Sequence, residues 1–346
     1  MLKQEYHNIF DVNEDSFETT ALNIFRFQYE NNPVYQDYVK ALHIKPDTVN
    51  QIEQIPFLPI QFFKSQVVKT TNFEPMMVFE SSGTTGSLSS RHFIKDISLY
   101  EKSFIKSFEL FYGPVKEWCI LGLLPSYLER KNSSLIYMAD KLISLSEHPQ
   151  SNFYLDEYEK LFAVLNELEK RKQKTLLIGV TFALLDFAEK YSQPLKHTIV
   201  METGGMKGRR EPARLSRSGG ELVRDEVHAI LKRSFQLSSI HSEYGMTELL
   251  SQAYSRPTEQ SFGRAKGEGI FHCPPWMRVM VRDEEDPFKI RNGSGAINVI
   301  DLANIYSCSF IATDDLGKIY ADGSFEVLGR MDNSDLRGCS LLYMSG

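Results

Sequence analysis

Residues 76–94 read MMVFESSGTTGSLSSRHFI. Met76 to Phe79 is a short apolar run that reads as a buried strand, Ser81 to Ser87 is a loop of small residues, and Arg91 to Ile94 is a second extended piece. The two glycines let the backbone bend around an anion, and the hydroxyls and amide N–H groups offer neutral donors to phosphate oxygens. The loop is not the P-loop of NTPases, because no Gly-Lys-Ser/Thr end leads into a helix. A flexible Ser/Gly turn is the other reading of the same residues.

Upstream, Asp15 and Ser16 can cap a helix in which Phe17, Ala21, Ile24 and Phe25 keep helical spacing, and Asn31-Asn32-Pro33 stops it before a second helix. Downstream, strands and helices alternate. Helices are expected near Leu99–Phe111, Ser134–Leu145, Leu155–Leu168 and from Thr181, with strands at Cys119–Leu124, Leu176–Gly179 and Thr198–Met201. This alternation predicts an α/β fold with helix-covered, mostly parallel sheets. Beyond Ala296 the pattern changes to short strands, Ala296–Ile300, Lys318–Tyr320 and Phe325–Leu328, with Asp322-Gly323 as a tight turn. The expected division is therefore a large α/β unit over 1–295, with N-terminal helices at about 14–45, and a small antiparallel β module over 296–346.

The chain has 346 residues, 42% hydrophobic and 24% charged, enough to bury a sizeable core. A formal charge of -6 gives no global field toward nucleic acid or anionic lipid. The four cysteines, Cys119, Cys273, Cys308 and Cys339, form no CxxC pair, which suits a reduced cytoplasm. His272-Cys273-Pro274-Pro275 with Cys308 falls short of a four-ligand zinc set. The N-terminus has no signal-peptide pattern, and the best apolar run, Leu176 to Leu185, is far shorter than the ~18 residues of a membrane span. There is no GxSxG elbow, no HExxH helix and no GxGxxG match, which disfavours common hydrolase, zinc-protease and dinucleotide chemistries.

Two further segments could carry chemistry. In His241-Ser242-Glu243-Tyr244-Gly245-Met246-Thr247-Glu248, Tyr244 offers an aromatic face to a base and Glu248 a hard oxygen ligand for Mg²⁺. A plain helix start at Thr247 and Glu248 explains the same residues. In Thr313-Asp314-Asp315-Leu316-Gly317, followed by Gly329-Arg330-Met331-Asp332-Asn333, the Asp315 carboxylate can accept from both hydroxyls of a ribose and Arg330 can donate to ribose or phosphate. Each piece alone could be a turn.

In this order, the three segments resemble the signature of the adenylate-forming superfamily, and the chain is most similar to the LuxE-type acyl-protein synthetases, the fatty-acid-activating components of bacterial luminescence systems. Leu124-Pro125-Ser126-Tyr127-Leu128-Glu129-Arg130, Gly179-Val180-Thr181-Phe182, Glu202-Thr203-Gly204-Gly205-Met206-Lys207-Gly208 and Leu336-Arg337-Gly338-Cys339-Ser340 carry the same resemblance. It implies ATP and Mg²⁺ as cofactors. Ser82, Gly83, Thr84, Thr85 and Gly86 would embrace the ATP phosphates, Gly204, Gly205 and Tyr244 would border adenine, Thr247 would contact phosphate, Glu248 would hold Mg²⁺, and Asp315 and Arg330 would bind ribose.

The resemblance implies an adenylate-forming N-terminal domain whose mobile C-terminal domain, with its Lys, is largely absent. Lys207 is then a candidate for that missing charge, or else one cation of a solvated basic loop with Arg209 and Arg210. Cys339 matches the neighbourhood of the cysteine that becomes acylated in LuxE-type enzymes, with Arg337 nearby to favour the thiolate. A buried thiol packed with Leu341 and Leu342 is the alternative. The expected activity is adenylation of a carboxylic acid, a fatty acid by resemblance, followed by transfer to the Cys339 thiol. The alternatives are coenzyme A or an acyl-carrier protein as acceptor, or a non-catalytic nucleotide-binding subunit. The resemblance also implies an acyl transferase and a reductase as partners.

Overall fold

The computed structural model describes residues 9–81, 88–124, 132–203, 224–256 and 268–331. Asn13 caps the first helix, α1 (Glu14–Asn31), and forms a capping box with Ser16. The start lies just ahead of Asp15 and Ser16 because Asn13 is the side chain that can accept the Ser16 amide while Ser16 Oγ returns to the Asn13 amide. Asn32 ends α1 and caps α2 (Pro33–Ala41), with Pro33 at the first helical position where no N–H is needed. Phe17, Ala21, Ile24, Phe25 and Gln28 form the buried face of α1. Gln28 is the polar member of that face. It donates to the carbonyls of Asn304 and Ile305 at 3.1 and 3.0 Å and accepts from the Ser309 amide at 2.9 Å, so burial leaves none of these groups unpaired.

Next come β1 (Leu58–Pro59), α3 (Phe62–Ser65), β2 (Met77–Glu80), β3 (Arg91–Ile94) and α4 (Ile97–Tyr112). Strands β2 and β3 pair antiparallel as a separate two-stranded ribbon flanking residues 82–87. Only Phe79 of β2 is fully buried, so the apolar run 76–79 is a half-exposed ribbon strand rather than a buried one. The alternating region then runs β4 (Cys119–Leu123), α5 (Ser134–Ser146), β5 (Asn152–Phe153), α6 (Tyr158–Lys170), β6 (Thr175–Val180), α7 (Thr181–Lys190), β7 (Thr198–Thr203), α8 (Arg224–Phe235) and β8 (His241–Tyr244). The remaining strands are β9 (Ala253–Ser255), β10 (Ile270–His272), β11 (Met277–Arg282), β12 (Ile290–Arg291), β13 (Ser294–Asp301), β14 (Phe310–Ile319) and β15 (Phe325–Arg330).

One sheet runs in the order β12-β11-β13-β14-β15-β10-β9-β8-β7-β6-β4-β5, with β1 parallel to β14. From β5 to β8 every neighbouring pair is parallel. From β8 onward the pairs are antiparallel, beginning upstream of Ala296 with β9, β10 and β11. The parallel part is covered on both faces. Ile120, Leu176 and Ile178 share the large core containing Phe104 and Phe108 of α4 and Leu142 of α5, while Leu121, Leu123, Leu177 and Val200 belong to the core with α6, α7 and α8. Burial on both sides explains why β4 and β6 read as continuous apolar runs rather than alternating ones. The Asp322-Gly323 turn joins β14 to β15, with Gly323 at φ +79°.

Among the described residues, no helix is long and apolar enough to cross a membrane.

Candidate active site

Ligands of open α/β sheets bind outside the carboxyl ends of the parallel strands. Here β7 ends at Glu202 and Thr203, and β8 ends at Tyr244. Tyr244 is buried and donates from its hydroxyl to Asp315 Oδ2 at 3.0 Å, across 71 residues of sequence. Arg330 Nε donates to Asp315 Oδ1 at 3.0 Å. That second contact follows from register, since Asp315 and Arg330 are directly paired across β14 and β15. Three side chains singled out from two separate motifs thus meet at one carboxylate. Burial and the neighbouring Asp315 charge push the Tyr244 hydroxyl well above its ordinary pKa of 10.0, so it remains a donor. The Arg330 side chain is half exposed, so its ion pair adds little stability and instead fixes the carboxylate's orientation. The remaining lone pairs of Asp315 suit paired hydroxyls such as those of a ribose.

The Tyr244 ring lies 5.8 Å from Phe271 and 5.2 Å from Phe325, and those two stack at 5.4 Å. Residues 313–317, open to a turn reading in the sequence, run inside β14. Thr247 and Glu248 do not start a helix. They sit in a tight turn in which the Leu249 amide donates to the Met246 carbonyl at 3.1 Å.

That turn is held from below by residues the motifs did not name. The amides of Leu250 and Ser251 donate to Asp301 Oδ2 at 2.7 and 3.0 Å, and burial raises the Asp301 pKa to about 6 against these bonds. Asn304 donates to the Glu248 carbonyl at 2.8 Å and the Cys308 carbonyl at 2.9 Å. His92 Nδ1 lies 2.8 Å from the Thr247 carbonyl oxygen, and its Nε2 lies 2.9 Å from Asn304 Oδ1. Burial lowers the His92 pKa to about 4, while both contacts, each to an acceptor oxygen, oppose the shift, and the ring stands as a strut beneath the turn. Asn304→Ala should cost about 3 kcal/mol in urea denaturation, because two buried carbonyls lose their donor and a small cavity opens. A change under about 0.5 kcal/mol would contradict this strut role.

Glu243 stands in the same motif, just ahead of Tyr244. Its carboxyl accepts from the Thr203 hydroxyl, tying the end of β8 to the end of β7. Burial pushes its pKa up to about 7, with the Thr203 bond acting in the opposite direction. A Cβ at position 245 would meet Glu243 Oε1, so a side chain there would require the Glu243 carboxyl to shift.

Glu248, within this turn, is buried. Among the described residues no group of three His, Cys, Asp or Glu is spaced to hold a metal. A single carboxylate can hold Mg²⁺ when phosphate oxygens and waters complete its shell, and Glu248 offers one carboxylate of that chemistry. The other residues selected from the sequence, Ser82, Gly83, Thr84, Thr85, Gly86, Gly204, Gly205, Lys207 and Cys339, lie outside the described residues.

The same architecture occurs in ATP-bound MatB from Rhodopseudomonas palustris, at 16% identity and TM-score 0.50, over 75% of this chain and 49% of that one. It also occurs in the ATP-bound RpMatB-BxBclM chimera B1, at 18% identity, TM-score 0.50 and the same coverages. The chain spans about half the length of these structures. The fold is that of the adenylate-forming enzymes. The family model described as acyl-protein synthetase, LuxE, matches residues 7–345, and the chain belongs to that family. A search of curated protein sequences gives no significant match.

Proposed function

We propose that the protein activates a carboxylic acid with ATP as an acyl-adenylate and then passes the acyl group to a thiol, its own Cys339. The observation that carries the first half is the convergence of Tyr244 and Arg330 on Asp315 at the carboxyl end of the parallel strands. Membership of the acyl-protein synthetase family supports the second half. ATP bound to the structural relative MatB supports the choice of nucleotide.

In this reading Asp315 and Arg330 seat the ribose, the Tyr244 ring borders adenine with Gly204 and Gly205, and the loop Ser82-Gly83-Thr84-Thr85-Gly86 receives the phosphates. A carboxylate oxygen of the acid attacks the α-phosphorus, the new O–P bond forms, and pyrophosphate leaves. The step needs in-line placement and neutralised charge more than covalent help from the protein. Thr247 contacts phosphate, Lys207 neutralises charge as pyrophosphate departs, and Glu248 holds Mg²⁺. When bound, that ion would polarise phosphate oxygens and balance their charge. A fatty acid is the substrate class that the family suggests, an acyl transferase and a reductase are the partners, and the cytoplasm is the site of action.

A series of carboxylic acids tested for ATP–pyrophosphate exchange should give exchange with at least one long-chain member. Intact-mass measurement without coenzyme A should then show one acyl group on the protein. Nucleotide binding without exchange for any acid would favour a non-catalytic nucleotide-binding subunit. Exchange without a mass shift would favour coenzyme A or a carrier protein as acceptor.

A further inference from the structure

Behind the site lies a buried array that the proposed chemistry does not use. His228 on α8 sits between two carboxylates, with Nε2 3.2 Å from Glu202 Oε2 and Nδ1 3.2 Å from Glu268 Oε1. Glu202 also accepts from the Thr181 hydroxyl at 2.6 Å, at the start of α7, and has Arg224 Nε 3.8 Å away. Glu268 accepts from Lys232 Nζ at 2.6 Å and from the Ile240 amide at 3.0 Å, just before β8. The imidazole therefore links the end of β7, the body of α8 and the entry to β8. His228 is itself buried, with both ring nitrogens against carboxylates of the protein.

The link reaches the site in two ways. Thr203, next to Glu202, bonds Glu243, and Glu243 precedes the Tyr244 that holds Asp315. Arg224 lies over the Phe271 ring at 5.4 Å, and Phe271 packs on Tyr244. We infer that His228 is a positioning residue whose positive charge clamps the ends of β7 and β8 in the geometry that binds nucleotide. The inference rests on the nucleotide-binding reading above. The groups facing His228 are Glu202 from β7, Glu268 from the segment before β10, and Arg224 and Lys232 from its own helix.

The charge follows from these surroundings. Burial alone would lower the His228 pKa, but hydrogen bonds to Glu202 and Glu268 and their charges raise it above 6.5. Burial would likewise raise both carboxylates, but His228 and the neighbouring donors hold Glu202 below 4.5 and bring Glu268 down to about 2. A group with a raised pKa contributes fully below its unfolded value and loses that contribution as pH rises through the folded value. Groups with lowered pKa contribute above their unfolded value and lose it in acid. The stability contribution is thus complete from about pH 4.5 to 6.5, and the clamp itself weakens as pH rises through the raised pKa of His228, above 6.5, where the ring loses its proton.

The test is calorimetric titration of the full-length protein with MgATP from pH 6 to pH 9, comparing wild type with His228→Gln. The ratio of the two affinities cancels titration of the nucleotide itself. Wild type should bind about tenfold more tightly than the variant at pH 6, with the ratio falling toward one as pH rises, a coupling of ordinary size between linked sites. Glu268→Gln, which removes one of the two charges that raise the pKa, should move the wild-type decline to lower pH. This variant also serves if His228→Gln does not fold. A constant ratio across pH, or a decline that Glu268→Gln leaves in place, would overturn the clamp. Absence of binding by wild type at every pH would instead overturn the nucleotide reading.

Discussion

Asp315→Asn should weaken ATP binding by about a hundredfold in calorimetry, while the protein keeps its fold by circular dichroism. The magnitude follows from the chemistry of the carboxylate. Hydrogen bonds to a charged acceptor contribute about 1.5 kcal/mol or more each, so losing two from a ribose diol removes about 3 kcal/mol. Each 1.4 kcal/mol is a factor of about ten in affinity. Asparagine is nearly the same size and can still accept the Tyr244 hydroxyl, so the change tests the charge and the second acceptor rather than the packing. It also leaves the half-exposed Arg330 guanidinium to water, where its desolvation cost is small. Unchanged affinity in Asp315→Asn would remove Asp315 from the nucleotide site, and with it the observation on which the proposed function depends.

How much of this was legible in advance depends on the range of the forces involved. The parallel half of the sheet was readable because Leu121, Leu123, Leu177 and Ile178 are buried, making β4 and β6 unbroken apolar runs between amphipathic helices. Strand β14 was less readable around Thr313-Asp314-Asp315. Its two carboxylates break the strand pattern, because Asp314 takes a hydrogen bond from Gln61 at 2.6 Å and Asp315 takes those of Tyr244 and Arg330. Contacts with distant side chains override the local rule, and only the motif order singles out Asp315 in the sequence.

The turn at Thr247-Glu248 could not be told from a helix start by local propensity. What decides it is Asp301, whose carboxylate takes the Leu250 and Ser251 amides from some fifty residues away. His92 had partners 155 and 212 residues distant, so no local pattern could assign it. His228 is harder still. It lies on α8, for which the sequence pattern gives no expected element, and the two carboxylates beside it come from other parts of the fold.

Cys339→Ser should still form acyl-AMP, measured as ATP–pyrophosphate exchange near the wild-type rate, but should carry no covalent acyl group in intact-mass spectra. The two half-reactions separate because adenylation uses only the acid and the nucleotide. Transfer needs a thiolate to attack the acyl carbonyl carbon, forming the C–S bond as the C–O bond to AMP breaks and AMP leaves. The other three thiols are poor substitutes. Burial pushes Cys119 up to about 11 and Cys273 and Cys308 up to about 12. At pH 8 the most acidic of them, Cys119, would hold about one thiolate per thousand, and its position within β4 keeps it from a bulky acyl-adenylate. Loss of the label should therefore be close to complete rather than partial. If Cys339→Ser keeps a wild-type acyl mass shift, Cys339 is not the acceptor. A hydroxylamine-sensitive label retained there would indicate transfer to another nucleophile, and family membership would then describe the activation step alone.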